Sequence, residues 1–430
     1  MDLVLRGGRV LGATARSGPA RDVAADVRIR DGRIVEIAPG LRGGREVAVT
    51  DLWVLPGLVD LHCHLREPGA EHKEDLASGA RAAAYGGFTT ICAMPDTTPV
   101  NDQRTVTELI VRRAAEIGVA RIRPIGAITR GLGGERFADI ADMKEGGIVA
   151  VADGDRAVAD AAVLRRALEY ARTFDLPLVQ HAEDLALAEG GVMHEGALAT
   201  RIGLRAHTAM AEAAMVARDL EIVAGTGGRY HLAHASAGRT VELVRDGKRR
   251  GLPITAEVSA LHLALTEAAC VDYDPRARLS PPLRGEADRQ ALLAGLIDGT
   301  IDAIVSDHAP SALTEKEGLF EEATPGAIGL ETTLAVVLGL VAAGHLPLAR
   351  AIDALTAAPA RAFALDAGAL AIGGAADLCV VDPGRAWTVE PAELVGKSKH
   401  TPLAGQLLVG RAVLTLFAGA VTCDRDERLA

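Results

Sequence analysis

The sequence predicts an α/β protein: a TIM-type (β/α)8 barrel carrying a small β sandwich built from the N- and C-terminal segments of the 430-residue chain. Three observations lead there. Eight short apolar runs alternate with alanine-rich helical stretches through the middle of the chain. The first fifty-odd and the last sixty residues instead alternate and turn in a β manner. Histidines and aspartates also gather at the C-terminal ends of the apolar runs, the face on which such barrels carry their sites.

In chain order, "DLVLRGGRVL", "ADVRIRDGRIVEIA" and "REVAVTDLWVLPG" are short strands parted by Gly and Asp turns, and residues 1–56 form the first part of the sandwich. The barrel is expected over 57–366. Its strands are read at 58–65, 88–94, 120–128, 147–153, 177–183, 230–236, 253–259 and 302–309. Helices such as "EDLASGARAAAYG" and "AVADAAVLRRALEYARTF" run between them. Residues 367–430, with "AADLCVVDP" and "GQLLVGRAVLTLFAGAVTCD", complete the sandwich. A doubly wound open sheet is the competing fold, but no Gly-rich dinucleotide turn follows the first strand.

Composition narrows the function. A net charge of −11, with no basic cluster interleaved with aromatics, argues against nucleic acid or an anionic membrane as partner. The most apolar stretch, "TTLAVVLGLVAAG", is too short to span a bilayer. Five scattered cysteines make no disulfide framework, and the N-terminus has no signal-peptide pattern. A cytoplasmic protein acting on a small molecule is expected.

The stretch "DLHCHLREPG" sets His62 and His64 two positions apart, with Arg66 two further on. Residues two apart on a strand share a face, so two imidazoles and a guanidinium point one way while Cys63 points into packing. A buried structural histidine is usually single; two in register suggest a metal. The other strand ends supply Asp153, His181, His234 and Asp307. Four histidines and two carboxylates then converge on one mouth. Two divalent metals account for them, because one tetrahedral site leaves ligands unused.

On these residues the chain resembles the dihydroorotases, the cyclic amidohydrolases of pyrimidine synthesis. "DLHCHLREPGAEHKEDLASGARAAAYGGFTTICAMPDTTPVND", "QHAED", "YHLAHASAG", "SPPLR", "SDHAP" and "EEATPGAIGLET" are similar to that family's successive blocks. The resemblance implies that His62, His64 and Asp307 hold one zinc and His181 and His234 a second. It places a bridging aspartate after strand four, here taken as Asp153 with Asp155 next. A hydroxide formed at the metals attacks the ring amide of dihydroorotate while Asp307 shuttles the proton. The reverse reaction closes N-carbamoyl-L-aspartate. Arg66 offers a planar fork to the substrate carboxylate. His64, Asp96, Ser280, Ser311, Pro325 and Gly326 are the remaining substrate-facing positions. A homodimer is expected, and association with aspartate carbamoyltransferase is one further possibility.

The chain also departs from the family's pattern. It reads Asp153-Gly154-Asp155 where two adjacent aspartates and a glycine are usual. Asp96 and Ser280 stand in place of asparagines, and Ser311 in place of a histidine. An acid at position 96 repels a dianionic substrate unless it is protonated or turned away. Two other functions therefore stay open. One is hydrolysis of a different ring amide, as by a hydantoinase, dihydropyrimidinase or allantoinase. Those relatives commonly bridge their metals with a carboxylated lysine, and "GIVAVAD" has none. The other is a catalytically weak structural partner of aspartate carbamoyltransferase, although all four metal histidines are retained.

Among the other histidines, alternation turns His231 and His308 away from the mouth and makes them structural. His262 begins the segment after strand seven and is a candidate to line the mouth. His72, His194, His207, His345 and His400 are read as surface residues. The polar, Gly/Pro-punctuated stretch 311–329 is expected to be a loop covering the ligand.

Overall fold

The computed structural model describes residues 2–13 and 20–429. Eight parallel barrel strands follow one another: Leu58–Cys63, Phe88–Ala93, Arg121–Pro124 continued by Gly126–Ala127, Val151–Ala152, Leu178–Gln180, Tyr230–Leu232, Ile254–Ser259 and Ala303–Val305. Each pairs with its successor in parallel. The circle closes where His64 N donates to His308 O at 2.8 Å, beside a parallel bridge between Cys63 and His308. Every apolar run read from the sequence lies on one of these strands. Several ladders stop short of the runs at their C-terminal ends, as at Leu178–Gln180, Tyr230–Leu232 and Ala303–Val305, where the following residues leave the sheet.

Branched and small side chains fill the interior, including Val59, Leu61, Cys92, Val179 and Val305. The helix Ala357–Ala362, with Phe363 and Leu365, packs against them. Between the first two strands the register slips by one residue, from Asp60 opposite Ile91 to Cys63 opposite Ala93. Such a slip re-aims the residues beyond it. Val59 and Leu61 join the interior core, yet His62 and His64, of the opposite parity, meet other site residues at the mouth.

The terminal segments share one eight-stranded, mostly antiparallel sheet. At its centre Trp53–Pro56 pairs antiparallel with Leu378–Val381. Asp2–Ala13, Ala20–Arg30, Arg33–Ala38 and Arg45–Ala48 lie on one side; Leu407–Phe417 and Ala420–Asp424 lie on the other. It has its own core, with Leu3, Val27, Ile29, Val380 and Leu414 buried together.

Helix Leu76–Gly86 begins at Asp75, whose carboxylate accepts from Ser78 N at 2.6 Å while Ser78 Oγ accepts from Asp75 N at 3.1 Å. This reciprocal cap satisfies two otherwise unpaired amides. Asp75 also pairs with Lys397 from the C-terminal segment. Burial opposes ionisation, but Lys397 and Ser78 outweigh it and hold the Asp75 carboxyl at about 2. A carboxyl whose pKa is lower folded than unfolded stabilises the fold above its ordinary value near 4, and that contribution is lost as pH falls toward 2. Asp75→Ala is therefore expected to cost ~1 kcal/mol at pH 7 and clearly less at pH 3. Urea melts at the two pH values measure the difference; an equal cost at both refutes the linkage.

Candidate metal centre

Strands one, five, six and eight and the turn after strand four bring five residues around His62. Three overlapping groups arise: His62, His64 and Asp155; Asp155, His181 and His234; and His62, His234 and Asp307. Within each group the potential ligand atoms lie within 4.8 Å of one another. Asp155 belongs to the first two groups. The four imidazoles are buried, whereas the Asp155 side chain is 45% exposed and opens onto the mouth.

The aspartate after strand four needs a correction. Asp153 does not face the imidazoles. Its carboxylate accepts from Ile128 N and Thr129 N, each at 2.9 Å, and from the Thr129 hydroxyl, so it ties strand four to the end of strand three. Gly154 then adopts φ +64°, a left-handed conformation that glycine takes without strain, and the chain turns back over the mouth. Asp155 thus lies 3.5 Å from His64 Nε2 and 3.9 Å from His62 Nε2. Desolvation raises the Asp155 carboxyl, but His64, His181 and His62 outweigh it and hold it well below its ordinary value. Asp153 is raised by burial.

The donor set fits cations. His62 Nδ1 lies 2.8 Å from Glu257 Oε1, and His64 Nδ1 lies 2.8 Å from Asp96 Oδ1. A carboxylate only accepts, so each Nδ1 carries a proton; the same carboxylates favour a second proton on each Nε2 while no metal is bound, and a cation held at Nε2 would displace it. Both Nε2 atoms are buried without a hydrogen-bond partner among the described residues and lie beside Asp155. His181 has the opposite orientation, with Nε2 3.4 Å from Glu183 Oε2 and Nδ1 3.2 Å from His234 Nε2. Burial lowers the His62 and His64 imidazoles, but neighbouring carboxylates outweigh it and raise them to about 9 and about 10. Burial and the adjacent His181 and His62 push His234 well down. Asp307 is lifted to about 6, chiefly by burial. Such crowding of ionisable groups around an aspartate is what a cation relieves.

Asp96 is ionised and turned onto Arg66. Against the raising effect of burial, His64 and Arg66 hold its carboxyl at about 2, and Asp96 Oδ2 lies 2.5 Å from Arg66 Nη1. One acid therefore orients both His64 and the guanidinium expected to meet substrate. Arg66 Nε also donates to Pro310 O at 3.2 Å. Arg66, His234 and Asp307 all have positive φ, at 61°, 28° and 50°. That conformation is uncommon outside glycine and is often found where a site constrains the backbone.

Ser311 is buried with no partner for its hydroxyl among the described residues, while its N–H donates to Ser398 Oγ at 3.3 Å. Ser280 is half-buried, just before Pro281, whose carbonyl is 3.1 Å from His262 Nε2. Gly326 N donates to Arg278 O at 3.0 Å. A Cβ at Gly326 would come within 2.6 Å of Ala309 Cβ, so glycine lets 311–329 close against the end of strand eight. Lys316 Nζ reaches Pro275 O at 2.9 Å and Arg278 O at 3.1 Å, fastening that loop to the one after strand seven.

Other residues are legible only in three dimensions. Glu257 joins His62 to His231, which lies 3.0 Å from Glu257 Oε2 and 2.7 Å from Thr255 Oγ1. The one sequence sign was an acid inside the apolar run "ITAEVS". His308 accepts from Gly329 N at 3.3 Å and lies 3.5 Å from Glu74. His207 is not a surface residue: it is buried, 2.5 Å from Glu183 Oε1. His72 and His345 are exposed, and His194 and His400 half-buried.

A family profile described as Dihydro-orotase-like matches residues 52–239. Among solved structures, L-hydantoinase (dihydropyrimidinase) from Arthrobacter aurescens superposes with a TM-score of 0.87 at 23% identity, covering 99% of this chain and 97% of that one. D-hydantoinase (dihydropyrimidinase) from Thermus sp. gives 0.82 at 21% identity, with 98% and 95% covered. These two likenesses speak to the fold. Among curated relatives, dihydroorotase from Anaeromyxobacter dehalogenans (strain 2CP-C) is 49% identical over 99% of this chain and 98% of its own. Those from Syntrophotalea carbinolica and Solibacter usitatus are each 44% identical, covering 98% and 99% of this chain and 99% of their own. On identities of this size across nearly its whole length, the chain belongs to the dihydroorotase family.

Proposed function

We propose that this protein interconverts N-carbamoyl-L-aspartate and L-dihydroorotate at a centre of two divalent ions, with zinc as the first candidate. The observation that carries the reading is Asp155, shared by two histidine groups with Asp307 alongside. His62, His64 and Asp307 would hold one ion, His181 and His234 the other, and Asp155 would bridge them. When bound, such ions lower the pKa of water from ~15.7 toward ~7 and polarise a carbonyl.

The remaining work falls to side chains. Glu257 and Asp96 keep the His62 and His64 rings in the tautomer that leaves Nε2 free. The Asp307 carboxylate takes the proton of the attacking water and delivers it to the ring nitrogen as the amide opens, and runs in reverse on closure. The Arg66 guanidinium, braced by Asp96 and Pro310 O, meets the substrate carboxylate. Ser280, Ser311 and the Pro325–Gly326 backbone line the rest of the site. This activity would place the protein in pyrimidine synthesis in the cytoplasm, as a homodimer with aspartate carbamoyltransferase as a candidate partner. No helix among the described residues is long and apolar enough to cross a membrane.

Hydrolysis of a hydantoin or dihydropyrimidine, the activity named for the two solved structures of like fold, is the competing reading. Residues 147–153 supply no lysine for a carboxylated bridge, and Asp155, shared by two of the histidine groups, would take the bridging place instead. Zinc-replete protein assayed on L-dihydroorotate, N-carbamoyl-L-aspartate, hydantoin and 5,6-dihydrouracil separates the two. Turnover of the first pair alone is expected; turnover of the second pair alone assigns the other activity.

A further inference from the structure

Beside the metal-facing histidines lies a second buried cluster that the proposed reaction does not use. The chain leaves the barrel after strand five and returns through two short paired strands, Met193–His194 and Ala206–His207. His207 ends this excursion with its side chain turned inward, Nε2 2.5 Å from Glu183 Oε1. The other oxygen, Glu183 Oε2, lies 3.4 Å from His181 Nε2. Behind His207 stands the buried Arg284, whose Nη1 donates to His207 O at 2.9 Å and whose Nε donates to Ser236 Oγ at 3.0 Å. Ser236 in turn donates from its hydroxyl to Glu212. Glu183 is therefore gripped far more closely by His207 than by His181.

The geometry points to His207 as a positioning residue for the second ion. His207 pins Glu183, Glu183 holds His181 Nε2, and the His181 ring can then present only Nδ1 to His234 and Asp155. His62 and His64 have their own carboxylates on other elements, Glu257 and Asp96, so this device acts on one half of the centre alone. Outer partners of metal-ligating histidines typically contribute 10–100-fold in metal affinity. The inference rests on the two-ion reading above and deepens it.

The test is zinc binding to full-length protein, with each equivalent's affinity read by competition against a chromogenic chelator and melting temperature followed in parallel. His207→Leu is expected to weaken the second equivalent ~10–100-fold and leave the first within a few-fold of wild type. His207→Gln, whose amide can still donate to Glu183, is expected to restore most of the loss. Glu183→Gln, which keeps the shape but not the charge, should reproduce the loss and serves if the leucine variant does not fold. Unchanged binding of both equivalents in His207→Leu, or in Glu183→Gln where that variant stands in, overturns the role of His207, as does parallel weakening of both with a lowered melting temperature. Wild-type protein that binds fewer than two equivalents overturns the two-ion reading itself and this inference with it.

Discussion

Asp155→Ala is expected to release metal and to reduce turnover by on the order of 10³-fold or more, because the water it helps activate reverts toward its unassisted pKa. Asp153→Ala, two residues away, should behave differently. Its carboxylate is spent on Ile128 N, Thr129 N and the Thr129 hydroxyl, so its loss leaves buried donors unpaired and destabilises the fold by ~1–3 kcal/mol. Metal content, steady-state turnover and urea melts on the two variants form a crossed comparison. The expected pattern is metal and activity lost at 155, stability lost at 153. Metal loss at 153 with full binding at 155 reverses the assignment.

Asp307→Asn is the second large effect. The amide keeps the size of the side chain and an oxygen able to face a cation, but it cannot accept and return a proton at working pH. General acid–base catalysis by a positioned group is worth ~10²–10⁴-fold, so kcat should fall by that factor in both directions with KM changed by a few-fold at most. A variant within tenfold of wild-type kcat removes Asp307 from the proton path.

The barrel was legible because its strands are continuous apolar runs of β-branched and small residues, as strands covered on both faces must be. His62 and His64 were legible as a pair because alternation puts them on one face. Their aim into the mouth depends on the one-residue slip between Asp60 and Cys63, and no periodicity announces it. The choice between Asp153 and Asp155 failed for a similar reason. Strand four is only Val151–Ala152, and a left-handed glycine follows two residues later, so nearness to the apolar run misled. Glu257, Glu183 and His207 act on ring nitrogens from other elements, and one-dimensional spacing does not reveal such pairings.

The pairing of Trp53–Pro56 with Leu378–Val381 bears on how the protein is made. Translation proceeds at ~5–20 residues per second, so roughly 15–65 s separate the emergence of these two segments from the ribosome. Through that interval Trp53–Pro56 waits with the hydrogen-bonding groups of one edge unmatched and Val54 and Leu55, buried in the finished sheet, still uncovered. Completing the sheet is thus a late event in biosynthesis, and the nascent chain is most exposed to wrong partners while the barrel is being synthesised.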